Sequence, residues 1–246
     1  MAELLARFTR RPKAQRVICV LGMHRSGTSC LTGTLESWGL TLGDVWRQNK
    51  HNARGNRESQ AIIDLHDAVL AHNGGSWSEP PNDVVWTREH RAALRRIIAN
   101  YRKEESWGFK DPRTLLTLSG WLEELPTLEF IGIFRDPRAV ASSLQARDPR
   151  SFANLDTGIA LWMKYNERLL AIHAQRPFPV LCFDASAEGF AAQLEVVRGE
   201  LKFSAPKGDP PFFAEELRHQ AAQSSTPLPP DVAALYEQLK SIQVGT

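Results

Sequence analysis

The sequence contains little cysteine, little net charge and no long apolar run. Its 246 residues include three cysteines and carry a formal net charge of +2. The odd cysteine count, with Cys19 and Cys182 inside apolar runs, predicts reduced core residues and favours a reducing compartment. The small net charge does not suggest a nucleic-acid partner. No run reaches the length of a membrane span, so we expect a cytoplasmic protein with no transmembrane segment.

Metal-ligand spacing and a signal peptide are also missing. No Cys/His pattern typical of a metal site occurs, and we therefore predict no structural metal. The first 15 residues are basic but lack the apolar centre of a signal peptide, and we interpret them as an N-terminal extension. The length suffices for a substantial core. We expect a single domain over residues 1–246.

What the chain does contain is an alternation of apolar runs and helical patterns. Strands are predicted at Val17–Leu21, Trp107–Phe109, Leu128–Phe134 and Pro179–Phe183. Helices are predicted at Thr28–Trp38, Glu58–Ala71, Thr87–Lys103, Thr114–Leu122, Ala139–Ala146, Asp156–Ala174, Glu188–Leu201, Phe212–Gln220 and Pro230–Leu239. This alternation predicts an α/β fold with a mostly parallel central sheet. The stretch from about 43 to 106 is too long for one crossover, and we interpret it as a helical insertion.

A phosphate-binding loop follows the first strand, but its lysine is missing. In the loop pattern G-x-x-x-x-G-K-[ST], the lysine bridges two phosphates beside a magnesium ion. Gly22 and Gly27 hold the spacing and Ser29 supplies the hydroxyl, yet Thr28 replaces the lysine. Backbone N–H groups from Arg25 to Ser29 can still hold an oxyanion. The loop therefore suits a terminal group of different charge, without a required metal.

The short motif Phe-[Lys/Arg]-Asp-Pro-Arg occurs twice, at 109–113 and 134–138. In each copy an apolar strand ends, Lys110 or Arg135 follows, and Asp-Pro is expected to begin a helix. Because parallel strands end at one edge of the sheet, where α/β proteins bind ligands, we expect both cations to converge with Arg25 there. Three cations beside three helix N-termini favour a ligand with more than one anionic group. The alternative is that Lys110 or Arg135 only pairs with a nearby carboxylate.

The segments GMHRSGTS and FRDPRAVASS together resemble the sulfotransferases that use 3′-phosphoadenosine 5′-phosphosulfate (PAPS), with the bacterial branch closest. This resemblance implies the three-layer α/β/α fold of P-loop NTPases. It also implies that the first loop binds the 5′-phosphosulfate of the donor. The residues assigned to that end are Arg25, Ser26, Gly27, Thr28 and Ser29.

The other end of the donor is assigned through the second motif. In the family, an arginine at a strand end and a serine eight residues later bind the 3′-phosphate, and Arg135 and Ser143 match this spacing. Ser142 lies about 100° around the same helix, so only one of the two serines should face the ligand. We expect Ser143 to be that residue.

The resemblance further implies transfer of a sulfuryl group to a hydroxyl or amine of a small-molecule or glycan acceptor, with the insertion shaping the acceptor site. Arg25, Lys110 and the loop amides are suited to stabilise charge on the leaving phosphate. Glu58, after the NARGN turn, is the candidate base, although it can equally serve its own helix N-terminus. The candidates that compete with it are His24 in the loop and three histidines of the insertion: His51, His66 and His72.

Two other functions remain open at this point. A nucleotide-dependent small-molecule kinase would bind ATP with Mg²⁺; the missing lysine argues against it, whereas the run PVLCFD ending at Asp184 could supply a metal-binding carboxylate. Helix capping explains Asp184 more simply. A catalytically retired protein that keeps the donor pocket is the third hypothesis.

Overall fold

The fold is built on a parallel β-sheet with helices on both faces. The computed structural model describes residues 15–47, 55–204 and 227–245. Its sheet contains β1 (Arg16–Leu21), β2 (Ser106–Lys110), β3 (Glu129–Phe134) and β4 (Val180–Cys182). The strand order is β2-β1-β3-β4, and every neighbouring pair is parallel. The four predicted strands are confirmed to within one residue at each end.

Every predicted helix that falls on the described residues is present. They are α1 (Thr28–Ser37), α2 (Gln60–His72), α3 (Arg88–Asn100), α4 (Thr114–Glu124), α5 (Pro137–Arg147), α6 (Leu155–Gln175), α7 (Ala187–Glu200) and α8 (Pro230–Ser241). The predicted helix Phe212–Gln220 and the N-terminal extension up to residue 14 lie outside the described residues. Among the described residues, none of the helices α1 to α8 is long and apolar enough to cross a membrane.

Two apolar clusters cover the two faces of the sheet. Side chains alternate along a strand: Val17, Cys19 and Leu21 of β1 join one cluster. Ile18 and Val20 join the other. Helices α1 and α7 pack on the second cluster, and the other six helices supply the first. The predicted three-layer arrangement is confirmed, and burial on both faces explains why these strands read as continuous apolar runs.

The long connection between β1 and β2 contains α2 and α3. Leu65 and Val69 of α2 and Leu94 of α3 are buried in the same cluster as the inner residues of β1. These two helices therefore pack on the shared core rather than forming a core of their own. This packing places the residues just before α2 beside the carboxyl edge of the sheet, where the candidate site lies.

Candidate active site

The carboxyl ends of three adjacent strands bring the predicted cations together. β1 lies between β2 and β3; the phosphate-type loop follows β1, Lys110 ends β2, and Arg135 follows β3. The Lys110 Nζ atom donates to Ser29 Oγ at 3.3 Å. An Nη atom of Arg135 donates to the carbonyl oxygen of Arg25 at 3.3 Å. Both cations thus contact the loop directly, from opposite sides.

The loop itself has a constrained backbone. Gly27 precedes α1 with φ 88°, and a Cβ atom there would collide with the ring of Phe183. Arg25 also has a positive φ, 66°, which is uncommon for a residue with a Cβ atom and clusters at ligand sites. Thr28, in place of the usual lysine, opens α1 and is buried. The buried hydroxyl of Ser26 has no hydrogen-bond partner within the described part of the chain, although buried polar groups are normally paired.

Glu58, Lys110 and Ser29 form one group of contacts. Lys110 donates to Oε1 of Glu58 at 2.6 Å, and their side chains are only 2% and 13% exposed. The predicted helix start at Glu58 is wrong by two residues, because α2 begins at Gln60 with Ser59 before it. Glu58 thus precedes α2 and its cap, and its carboxylate contacts Lys110. Lys110 in turn contacts Ser29 of the loop.

The backbone around Glu58 is fixed from two directions. The N–H of Trp46 donates to the carbonyl of Glu58, and the N–H of Arg57 donates to the carbonyl of Trp46, both at 3.0 Å. Arg57 adopts φ 56°, and its Nε donates to Glu36 of α1 at 2.8 Å. The helix that follows the loop thus also anchors the segment that carries the candidate base.

Arg25, Ser143 and Arg135 form the second group. The Nε of Arg25 donates to Ser143 Oγ at 2.7 Å, and Ser143 is the buried serine of the pair at 142–143. Arg135 also donates to Asp184 Oδ1 at 3.3 Å, while Asp184 Oδ2 accepts from the N–H of Asp136 at 2.6 Å. The capping explanation of Asp184 is wrong, since Ser186 caps α7.

The two copies of the Asp-Pro motif behave differently. Asp136 caps α5, accepting from the N–H groups of Arg138 and Ala139, as expected. Asp111 does not begin a helix directly, because α4 starts only at Thr114. Its carboxylate is fully buried, and it accepts from the Arg113 N–H at 2.9 Å and lies 3.2 Å from Nδ1 of His66. The first copy therefore serves a buried polar network rather than a helix cap.

This network fixes His66 as a structural residue. Trp121 Nε1 donates to Nε2 of His66 at 2.8 Å, so the proton of the ring lies on Nδ1 and is donated to Asp111. Burial alone would raise the pKa of Asp111, but the hydrogen bond from His66 and the charge and backbone N–H of Arg113 outweigh burial and hold this pKa below its usual range. Both nitrogens of the His66 ring are engaged, which leaves none for a substrate proton.

The other histidines that were candidate bases are His24, His72 and His51, and none of them has the ion pair with Lys110 that Glu58 has among the described residues. The His24 ring packs 4.6 Å from the ring of Trp77, and burial and then the charge of Arg113 lower its pKa well below the usual value. His24 is therefore neutral at pH 7, and its Nε2 has no partner among the described residues. His72 is exposed and faces His90. His51 lies outside the described residues.

Arg147 is a site residue that sequence reasoning missed. It ends α5, one turn after Ser143, and its guanidinium lies 5.9 Å from the ring centroid of Trp77. Burial, followed by the charges of Arg147 and Arg135, lowers the pKa of Arg25. The four-residue spacing from Ser143, which puts both on one helix face, was the signal available in the sequence. In the described part of the chain, no group of three metal-binding side chains accompanies these cations.

Comparisons with known proteins show the family of the chain. A family model described as the sulfotransferase family matches residues 17–186, more than half of the chain and all of the site residues above. No curated protein matches the chain.

Solved structures similar to the chain include two sulfotransferases. The sulfotransferase domain of the olefin synthase from Synechococcus PCC 7002 is 15% identical with a TM-score of 0.48, over 96% of this chain and 92% of that one. Sulfotransferase STF1 from Mycobacterium tuberculosis H37Rv is 14% identical with a TM-score of 0.48, over 94% and 77%. The match to the family model decides the assignment: this chain belongs to the sulfotransferase family.

Proposed function

We propose that the protein transfers the sulfuryl group of PAPS to a hydroxyl or amine of a small-molecule or glycan acceptor. The observation that carries the choice of donor is the position of Arg25. Its side chain bonds Ser143, its carbonyl accepts from Arg135, and it belongs to the loop. Two anion sites therefore share one residue, and PAPS has two anionic ends, the 5′-phosphosulfate and the 3′-phosphate.

The described residues fit both ends of this donor. At the 5′ end, the N–H groups that open α1 carry partial positive charge, and the buried Ser26 hydroxyl bonds to none of the described residues, so it can bond to the donor. At the 3′ end, Arg135 and Ser143 supply a guanidinium and a hydroxyl, the combination that favours a phosphate. Asp184 orients the guanidinium of Arg135. A donor with only one anionic end would leave one of the two groups unused.

The proposed reaction assigns a proton and a charge to named atoms. The acceptor oxygen forms a bond to sulfur while the bond from sulfur to the 5′-phosphate oxygen breaks, and its electron pair leaves with 3′-phosphoadenosine 5′-phosphate (PAP). The carboxylate of Glu58 takes the acceptor proton, a contribution of roughly 10²–10⁴ in rate. Lys110 and Arg25 place positive charge beside the leaving oxygen. Lys110 also holds Glu58 next to the loop.

The competing functions make different demands on the same residues. A kinase needs a carboxylate for magnesium, but both oxygens of Asp184 bond to Arg135 and to the N–H of Asp136. A retired binding protein would not need Glu58 beside the loop. The contact of Glu58 with Lys110 therefore favours an active transferase over a retired protein, and the bonds of Asp184 disfavour a kinase.

The test is transfer from labelled donors to a panel of phenols, monosaccharides and amines. Sulfur-labelled PAPS is supplied with EDTA, and phosphorus-labelled ATP with Mg²⁺ in parallel. We expect sulfur transfer only, and we expect Glu58→Gln to lower kcat about 10²-fold with an unchanged KM for PAPS. Glu167→Gln, on the exposed side of α6, is the control. Phosphorus transfer, or full activity of Glu58→Gln, would overturn the proposal, and PAPS binding without transfer would favour the retired protein.

A further inference from the structure

We infer that Arg147 and Trp77 form an acceptor subsite that takes a ring-bearing acceptor with an anionic substituent, such as a carboxylate. This inference rests on the proposed function, because it names the class of molecule that receives the sulfuryl group. It is carried by the position of the two side chains, by the charges around them and by the way Trp77 is held.

Trp77 is a half-buried ring that the protein holds in place. It lies between α2 and α3, and its backbone carbonyl accepts from the hydroxyl of Tyr165 at 2.8 Å. One neighbour of its ring is Phe152, with centroids 5.9 Å apart. Another is His24, at 4.6 Å, which immediately precedes Arg25 in the loop. A pre-positioned aromatic surface therefore adjoins the residues proposed to hold the sulfuryl group, and such surfaces bind flat rings and sugars.

Arg147 adds positive charge above this ring. Three of the nearby cations have an anionic partner: Lys110 has Glu58, Arg135 has Asp184, and Arg113 has Asp67. Arg25 instead donates to the neutral hydroxyl of Ser143. Arg147 is exposed and forms no salt bridge in the described portions of the chain. Its charge, after the hydrogen bonds from Ser151, helps to lower the pKa of the adjacent Asp148. The charge of Arg147 is also close enough to oppose that of Arg25. An anion bound at Arg147 would relieve this repulsion.

The location of Arg147 favours the acceptor over the donor. It lies about 6 Å beyond Ser143 along α5, on the side away from Arg135, which precedes that helix. Its aromatic contact comes from the segment between α2 and α3, not from the strand ends that carry the proposed donor contacts. A guanidinium binds a carboxylate with two parallel hydrogen bonds, so an acid whose ring packs on Trp77 would satisfy both side chains.

The experiment compares three acids with their neutral counterparts while the donor site is filled with PAP. The pairs are 4-hydroxyphenylacetate with 4-hydroxyphenylacetamide, N-acetyltyrosine with N-acetyltyrosinamide, and 4-nitrophenyl glucuronide with 4-nitrophenyl glucoside. Dissociation constants come from calorimetry, and transfer from PAPS is measured on the same compounds. We expect the acid of at least one pair to bind about tenfold more tightly, the size of one charge-assisted hydrogen bond at an exposed site.

Variants separate this subsite from the donor site. Arg147→Met should abolish the preference for the acid and leave the affinity for PAP unchanged, and Trp77→Ala should weaken both members of a pair. Arg150→Met, an exposed arginine three residues further along the chain, should change neither. Equal binding within all three pairs would overturn the inference. A loss of PAP affinity in Arg147→Met would instead make Arg147 a donor-binding residue.

The two proposals fail in different ways. If PAP does not bind to the unaltered protein, the proposed function fails and the acceptor subsite falls with it. If PAP binds but no acid is preferred, only the acceptor subsite is wrong.

Discussion

Replacing Lys110 by methionine perturbs the contact on which the candidate base depends. Methionine keeps most of the length of the side chain but removes the charge. Glu58, 13% exposed, then loses the cation that lies 2.6 Å from its Oε1 atom. A carboxylate that is mostly removed from water and has lost its partner is strongly unfavourable. We therefore expect Lys110→Met to destabilise the fold as well as to abolish transfer.

The magnitude follows from the burial of the pair. Breaking a fully buried ion pair from one side costs about 3–5 kcal/mol, and the partial exposure of Glu58 places this case near the lower end, at about 3 kcal/mol. Glu58→Gln should cost less, about 1–2 kcal/mol, because the amide oxygen can still accept from Lys110. The double variant removes both charges. Its cost should fall short of the sum by about 1–2 kcal/mol, which is the coupling between the two side chains.

The assay is urea unfolding of the two single variants, the double variant and the unaltered protein at pH 7. Lys164→Met, an exposed lysine of α6, is the matched control and should change the unfolding free energy by less than about 0.5 kcal/mol. The reasoning is refuted if Lys110→Met behaves like Lys164→Met. It is also refuted if the effects of the two single variants add within about 0.5 kcal/mol, since residues in direct contact should not act independently.

The remaining predictions concern stability around the loop. Gly27→Ala should cost about 3 kcal/mol in urea unfolding, because it adds a collision with Phe183 to the strain of a positive φ; Gly39→Ala, with φ 100° and nothing near its Cβ, should cost only about 1–2 kcal/mol. His24 has a lowered pKa, so unfolding binds a proton below about pH 6.5, and the unaltered protein should lose up to about 1.4 kcal/mol per pH unit there relative to His24→Phe. Asp111 has a lowered pKa as well. Asp111→Asn should therefore cost about 2–3 kcal/mol at pH 7, and its difference from the unaltered protein should shrink as the pH falls below about 4.

Each of these predictions has an outcome that contradicts it. Equal unfolding free energies for the two alanine variants would mean that Phe183 does not approach Gly27. Parallel pH profiles for His24→Phe and the unaltered protein would mean that His24 titrates normally. A constant difference between Asp111→Asn and the unaltered protein down to about pH 2 would mean that the charge of Asp111 does not stabilise the fold.

Much of the fold could be predicted because its signals are local. The apolar run Val17–Leu21 is buried on both faces, and the structure extends it by only Arg16. Asp136 and Pro137 predicted the start of α5, because a helix cap bonds only to N–H groups within three residues of it. The same signal failed at Asp111, because its carboxylate also contacts the ring of His66 and the guanidinium of Arg113. The contact with His66, 45 positions away, cannot be inferred from the residues next to Asp111 in the sequence.

The candidate site could be predicted in part for a similar reason. The motifs located Arg25, Lys110 and Arg135, because parallel strands end at one edge of a sheet. They did not show that Lys110 pairs with Glu58 across 52 positions, or that Arg147 lies over Trp77. These pairings depend on how α2 and the segment after it pack on the core. Whether the assigned residues bind PAPS stays a prediction.

The measurement that tests the central claim most directly is calorimetry of PAP and 5′-AMP binding in EDTA. The two nucleotides differ only in the 3′-phosphate that Arg135 and Ser143 are proposed to hold. Charge-assisted hydrogen bonds contribute about 1.5–3 kcal/mol each, so PAP should bind the unaltered protein about 10²-fold more tightly than 5′-AMP. Arg135→Met should remove most of that difference. Equal affinities for the two nucleotides, or a preference that survives Arg135→Met, would contradict the account.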